Sequence, residues 1–348
     1  MRRISLSLFL ETIPHPQSAH KSRAKLIVSG SLLIIFVIAI ASPTVAGPRQ
    51  LPEPDAAAYY EAGLRHYNAG EFEKAIEALR QAIELKPDFT EAYNNLGTAY
   101  ANLGRHHEAI EEIKRAIRLK PSMAEAYYNL GCEYDALKRH QESVGVYREA
   151  IRLNPGYAMA YNNLGVALAE LGRHEEAIAA YTEALRYQPD RAETYGSLGT
   201  SYAQVGRYAE AVAAYQKAIR LKPGMVKTYS NLGYAYCKLG EYEQAVKALE
   251  EAIRLDPNFA QAYNNLGSVY HMMRRSKDAI RAFGRALQLD PGFALARYNL
   301  SLAHLSRGDK KAAIAQHNLL RSIDADLARN LFAQIHKNEI LDARRSFQ

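Results

Sequence analysis

The chain has 348 residues, 48% of them hydrophobic, which is enough for a large folded body. Its formal net charge is +7, yet the first 46 residues hold five Lys/Arg against one Glu, so the rest carries only +3. The basic balance is therefore partly a feature of that leading segment and excludes, as an expectation, a nucleic-acid partner argued from charge alone.

Residues 1–25 form a basic region with Arg2, Arg3, Lys21, Arg23 and Lys25. Residues 26–46 continue as an apolar run, "LIVSGSLLIIFVIAIA", closed by small residues at "TVA". This is the pattern of an export or membrane-insertion signal, and the charge ahead of the run keeps the N-terminus cytoplasmic. Two readings stay open: a signal peptide cut after Ala46, leaving a secreted or periplasmic protein, or a single-pass anchor with the remainder outside the cytoplasm. Either way a membrane is an expected partner of the N-terminal segment. Residues 47–55, "GPRQLPEPD", read as a short stiff linker.

From residue 56 the chain repeats. Pro87, Pro121, Pro155, Pro189, Pro223, Pro257 and Pro291 lie at an unvarying interval of 34 residues. Self-similarity at that period means one supersecondary unit copied many times. An aromatic residue recurs at Tyr59, Tyr93, Tyr127, Tyr161, Tyr195, Tyr229 and Tyr263, with a Leu-Gly pair three residues on from Leu96-Gly97 to Leu266-Gly267. The spacings place these residues on one helical face. A glycine inside that face costs about 1 kcal/mol of helix propensity, so close approach of a second helix is expected there.

That second helix has its own stripe. Ala75, Ala109, Ser143, Ala177, Ala211, Ala245 and Ala279 are each followed four residues later by a large apolar side chain, such as Leu79, Ile113, Tyr147 and Phe283. Gly70, Gly104, Gly172, Gly206 and Gly240 end the first helices, and the prolines end the second. The pairs Asp88–Glu91, Ser122–Glu125, Asp190–Glu193 and Asn258–Gln261 fit a capping box at the next helix start.

These residues resemble the tetratricopeptide repeat (TPR) family, with residues 56–293 as seven full repeats and residues 294–325 as a degenerate eighth. The resemblance implies an all-α, right-handed solenoid. Residues 326–348 read as a capping helix and tail, with Leu327, Leu331, Phe332 and Ile335 facing the array.

No chemistry announces itself. The sequence has no phosphate-binding glycine loop, dinucleotide fingerprint, nucleophile elbow or zinc-ligand cluster. No catalytic residue, cofactor or metal is therefore assigned. His106, His140 and His174 share one repeat position and are read as packing residues, because neighbouring repeats hold them too far apart for one ion. Cys132 and Cys237 lie in different repeats and are read as free thiols.

The informative polar row is Asn95, Asn129, Asn163, Asn231, Asn265 and Asn299, with Ser197 at the seventh place. Asn is a poor helix-interior residue, so the row needs a reason. It is similar to the asparagine ladder in the TPR superhelix of O-GlcNAc transferases, which implies amides that grip an extended peptide backbone in the concave groove. An amide donates and accepts, so it can pair with a peptide unit of any sequence. From the same phase, Glu91, Glu125, Asp135, Glu170 and Glu193 are read as groove residues in the N-terminal half, with Lys227 and Lys238 following. The expected function is a non-catalytic scaffold that binds a protein or peptide segment in its groove, alone or within a multiprotein complex. The alternative is a TPR accessory subunit of a separate enzyme such as a glycosyltransferase.

Overall fold

A computed structural model describes residues 55–336. The basic region, the apolar run and most of the linker lie outside the described residues, as does the tail from residue 337. Every regular element among the described residues is an α-helix. They divide into two compact units, one ending at Pro155 and the other beginning at Gly156.

The first unit holds three helix pairs: α1 (Ala56–Ala69) with α2 (Phe72–Leu85), α3 (Thr90–Asn102) with α4 (His106–Leu119), and α5 (Ala124–Ala136) with α6 (His140–Leu153). The second unit begins with α7 (Ala158–Glu170) and α8 (His174–Tyr187), then α9 (Ala192–Gln204) and α10 (Tyr208–Leu221), then α11 (Val226–Leu239) and α12 (Tyr242–Leu255). It closes with α13 (Ala260–Met272) and α14 (Ser276–Leu289), α15 (Ala294–Ser306) and α16 (Lys310–Leu320), and a last helix, α17 (Ala325–Ile335).

Within a pair, the glycine of the first helix receives the large residue of the second. A Cβ at Gly97 would stand 2.5 Å from Ile113 Cγ1, far inside contact distance. The alanines that flank the large residue, Ala109 and Ala116, are fully buried and let the helices close onto it. The turn between the helices is stapled by an arginine. Arg105 lies over the Tyr100 ring at 4.5 Å and donates from Nε to Glu108 at 2.8 Å. Arg139 does the same with Tyr134 and Glu142, Arg207 with Tyr202 and Glu210, and Arg275 with Tyr270 and Asp278. One guanidinium thus joins the end of the first helix to the start of the second through a cation–π contact and a charge-assisted hydrogen bond.

Three expectations are corrected. The capping boxes do not form: helices α3, α5, α9 and α13 begin behind Phe89, Met123, Arg191 and Phe259, none of which makes a side-chain cap. Asp88, Ser122, Asp190 and Asn258 sit one residue too early, inside the turn. One of these turns is instead closed by the residue before the proline, since Asp256 Oδ1 accepts from the Asn258 N–H at 2.9 Å, and the turn before α15 is closed the same way, Asp290 Oδ1 accepting from the Gly292 N–H at 2.9 Å. In α17, Leu331 and Ile335 are buried but Phe332 is 49% exposed. The inward stripe runs through Ala328, Leu331 and Ile335, and Phe332, one residue beyond Leu331, falls on the flank between the rings of His317 and His336. The histidines do more than pack: His106 Nδ1 lies 2.8 Å from Glu133 Oε2, and His140 Nδ1 lies 3.1 Å from Asp135 Oδ1.

The eighth pair is a complete helix–turn–helix despite its drifted sequence. Ser301 replaces the glycine, and its hydroxyl donates to the Ala313 carbonyl at 3.0 Å across the narrow helix–helix gap. Arg297, at the aromatic place, donates to the Pro291 carbonyl and to Gln316.

Candidate functional site

Consecutive first helices touch one another inside each unit: α1 and α3, α3 and α5; α7 and α9, α9 and α11, α11 and α13, α13 and α15. Consecutive second helices make no comparable contact among the described residues. Each row of first helices is therefore the tighter, inner side of its unit.

The asparagine row stands where these inner helices meet. Five of the six are buried, Asn265 and Asn299 to 1% exposure, and Asn163 is half-buried. Burial of a side-chain amide demands partners. Four of the row find theirs one repeat back. Asn95 Nδ2 donates to Tyr60 Oη at 2.8 Å, Asn129 Nδ2 to Asn94 Oδ1 at 3.0 Å, Asn265 Nδ2 to Ser230 Oγ at 3.1 Å, and Asn299 Nδ2 to Asn264 Oδ1 at 3.0 Å. In each case the acceptor lies 35 residues earlier, one place before the asparagine position of the preceding repeat. At Asn162 the acceptor place takes a different donor, Thr194 Oγ1, at 2.7 Å. The row read from sequence as facing a ligand thus first serves the array, tying each inner helix to the one before it. The acceptor row, Tyr60, Asn94, Asn162, Ser230 and Asn264, was passed over in the sequence. Its signal was present as a polar or aromatic residue recurring beside each asparagine.

The charged residues assigned to the inner face are placed less uniformly. Glu91 pairs with Lys120 at 3.4 Å and Glu193 with Lys222 at 2.7 Å. Asp135 is drawn inward, accepting from Tyr147 Oη at 2.9 Å as well as facing His140. Glu125 stays accessible to solvent while protein surrounds it; burial, then the neighbouring Glu91 charge, raises its pKa. Lys238 lies over the Tyr234 ring at 5.3 Å, and burial lowers its pKa. Burial pushes the Cys132 thiol up to about 11 and the Cys237 thiol up to about 12, so neither is a thiolate at neutral pH. Among the described residues no three side chains converge as metal ligands, and no helix is long and apolar enough to cross a membrane.

Helix–turn–helix pairs closed by a glycine against a large apolar side chain, with an inner row of first helices, define a helical-repeat scaffold. Family models described as TPR repeat and Tetratricopeptide repeat match residues 63–104 and 90–123. A model described as the Cilia and flagella-associated protein 70 C-terminal domain matches residues 136–344, more than half of the chain. The chain belongs to the tetratricopeptide repeat family, and over residues 136–344 to the branch which that last model describes.

Among solved structures, a tetratricopeptide repeat protein from Parabacteroides merdae is similar at 19% identity, covering 71% of this chain and 98% of that one, with a TM-score of 0.57. YrrB, described as a TPR protein with an unusual peptide-binding site, is 24% identical over 54% of this chain and 96% of that one, with a TM-score of 0.50. A crystal structure of MamA protein is 31% identical over 49% of this chain and 94% of that one, with a TM-score of 0.45. No curated protein matches the chain.

Proposed function

We propose that this chain is a non-catalytic scaffold whose inner helices bind an extended peptide or protein segment. The observation that carries the reading is the packing of the first helices against one another, which makes one continuous inner face within each unit with the same polar positions presented at every repeat. Successive inner helices stand roughly 10 Å apart, about the length of three extended residues, so one strand of ligand meets one repeat at a time. Asn95, Asn129, Asn163, Asn231, Asn265 and Asn299 are the proposed contact row. Each amide nitrogen carries two hydrogens, and in Asn95, Asn129, Asn265 and Asn299 the bond to the preceding repeat uses one of them.

We further propose export or membrane anchoring, which rests on the sequence of residues 26–46 alone. Mass analysis of the mature N-terminus checks it: a start at Gly47 supports cleavage, and an intact chain in the membrane fraction supports the anchor. Recovery of an intact chain wholly in the soluble cytoplasm would refute both.

The binding reading is tested by panning random-sequence peptides displayed on phage against the immobilised chain. Wild type should enrich binders, and joint replacement of Asn163 and Asn231 by Ala should weaken them while thermal unfolding stays cooperative. Failure of wild type to enrich any peptide would refute the scaffold reading.

A further inference from the structure

Every second helix carries an Ile or Val one place after its first small residue, from Ile76 and Ile110 to Ile280 and Ile314. The members from Ile76 to Ile280 are buried or half-buried, and Ile314 is 36% exposed. The end of the next first helix is what covers this place elsewhere. Ile76 shares its core cluster with Tyr100 and Leu103, Ile110 with Tyr134 and Leu137, and Val246 with Tyr270 and Met273. Each time the covering residues stand 24 and 27 positions further on. Counted from Ile314, those positions are Asn338 and Leu341. Helix α17 is described only as far as Ile335, with His336 at its C-cap, so both lie just past it.

A second apolar side chain stands open beside the first. Phe332 of α17 is 49% exposed, and its ring centroid lies 5.7 Å from that of His317. His317 is three residues along α16 from Ile314, a spacing that makes the two neighbours on the helix surface. Ile314, His317 and Phe332 thus form one apolar and aromatic patch at the end of the second unit. The residues that follow have the composition to cover it. Ile340 and Leu341 come four and five places after His336, and Ile340, Ala343 and Phe347 stand at helical spacing for one face. The family match that begins at residue 136 runs on to residue 344, past both Ile340 and Leu341, so the shared pattern does not stop at α17.

We propose that residues 338–348 of the same chain dock on this patch, with Leu341 covering Ile314 as Leu103 covers Ile76 and Leu137 covers Ile110. The chain's own segment is the occupant because Leu341 falls on the period that serves the earlier pairs, and because it is tethered close by. The five residues from His336 to Leu341 reach at most about 17 Å, and the patch includes α17 itself. The role is that of a cap. The last unit of a solenoid has an apolar side without a neighbour, and left open it would invite a second copy of the chain. Capping is independent of what the inner face binds.

The test is a pair of cysteines in the full chain, Ile314→Cys with Leu341→Cys, oxidised and mapped by mass spectrometry. A bridge between these two positions in protein of monomer mass is the expected result, because a covering residue stands within disulfide reach. The control is Leu319→Cys with Leu341→Cys. Leu319 is 52% exposed and lies five residues from Ile314, on another side of α16, so it should bridge at least tenfold less. Equal bridging at both positions means a segment that samples the whole surface, and overturns the proposal. A bridge found only in protein of dimer mass assigns the patch to a second copy and overturns it too, as does no bridge at all. In an otherwise unaltered chain, Leu341→Asp should speed hydrogen exchange of the α17 amides about tenfold and leave α9 and α10 unchanged. Unaltered exchange in α17 would show that nothing of the segment rests on it.

Discussion

Gly131 faces the ring of Tyr147 so closely that a Cβ on the glycine would stand 2.4 Å from Tyr147 Cε1. Tyr147 is fully buried, and its hydroxyl is tied to Asp135, so the ring has nowhere to retreat. Gly131→Ala should therefore destabilise the chain by about 2 kcal/mol, the overpacking cost exceeding the helix propensity that alanine gains. The contrast is Gly145→Ala, where nothing lies within 4 Å and up to about 1 kcal/mol should be gained. Chemical denaturation of the two variants checks the sign difference; a stabilised Gly131→Ala would show that the close approach is not what keeps the glycine.

The bond between Asn94 and Asn129 joins two side chains that are 1% and 8% exposed. Asn94→Ala leaves a buried donor without its acceptor and should cost about 1–3 kcal/mol. Replacing both residues by Ala should cost less than the sum of the single changes, because the second change removes the orphaned group. A double-mutant cycle by denaturant unfolding measures this, and strict additivity would remove the bond from the account of stability.

Two first helices end on residues that adopt the left-handed conformation without being glycine: Lys138 at φ 58° and Arg274 at φ 60°. The equivalent positions elsewhere are Gly70, Gly104, Gly172, Gly206, Gly240 and Gly308, all at positive φ. Lys138→Gly relieves that strain and should stabilise the chain by about 0.5–1 kcal/mol, observed as a raised melting temperature. A lowered melting temperature would show that the Lys138 side chain contributes more than its backbone costs.

The raised pKa of Glu125 comes from burial first and from the Glu91 charge second. A carboxyl whose pKa is higher in the folded chain favours folding below its ordinary value of 4.5 and loses that contribution as pH rises through the folded value. At pH 7 the ionised Glu125 is thus a small liability. Water reaches this side chain and screens the penalty, so Glu125→Gln should add only a few tenths of a kcal/mol at pH 7. The gain should vanish near pH 4. Melting temperatures at the two pH values test the sign; an equal gain at both would remove the charge from the explanation.

Much of this molecule is written in local patterns. The fixed interval of the prolines, the helical spacing from Tyr93 to Tyr100 and the alternation of Ala109, Ile113 and Ala116 determine helix pairs, because each pattern acts within one turn or one helix face. They also point to the glycine contact, since a helix keeps an interior glycine only where a neighbour demands it. What the tertiary structure decided concerns residues a full repeat apart. Whether Asn129 meets a ligand or Asn94 depends on the distance between two inner helices, which no single repeat encodes. The direction of Phe332 was set by which flank of α17 the eighth pair leaves open, and the helix starts by turns that hold Asp88 and Asn258 one residue before the cap position. Gly196 shows the division most plainly. In the sequence it is one glycine among 21. Only folding brings Met225 and the Thr228 hydroxyl to within 4 Å of where a Cβ on it would stand, because contacts a repeat apart are a property of the assembled array.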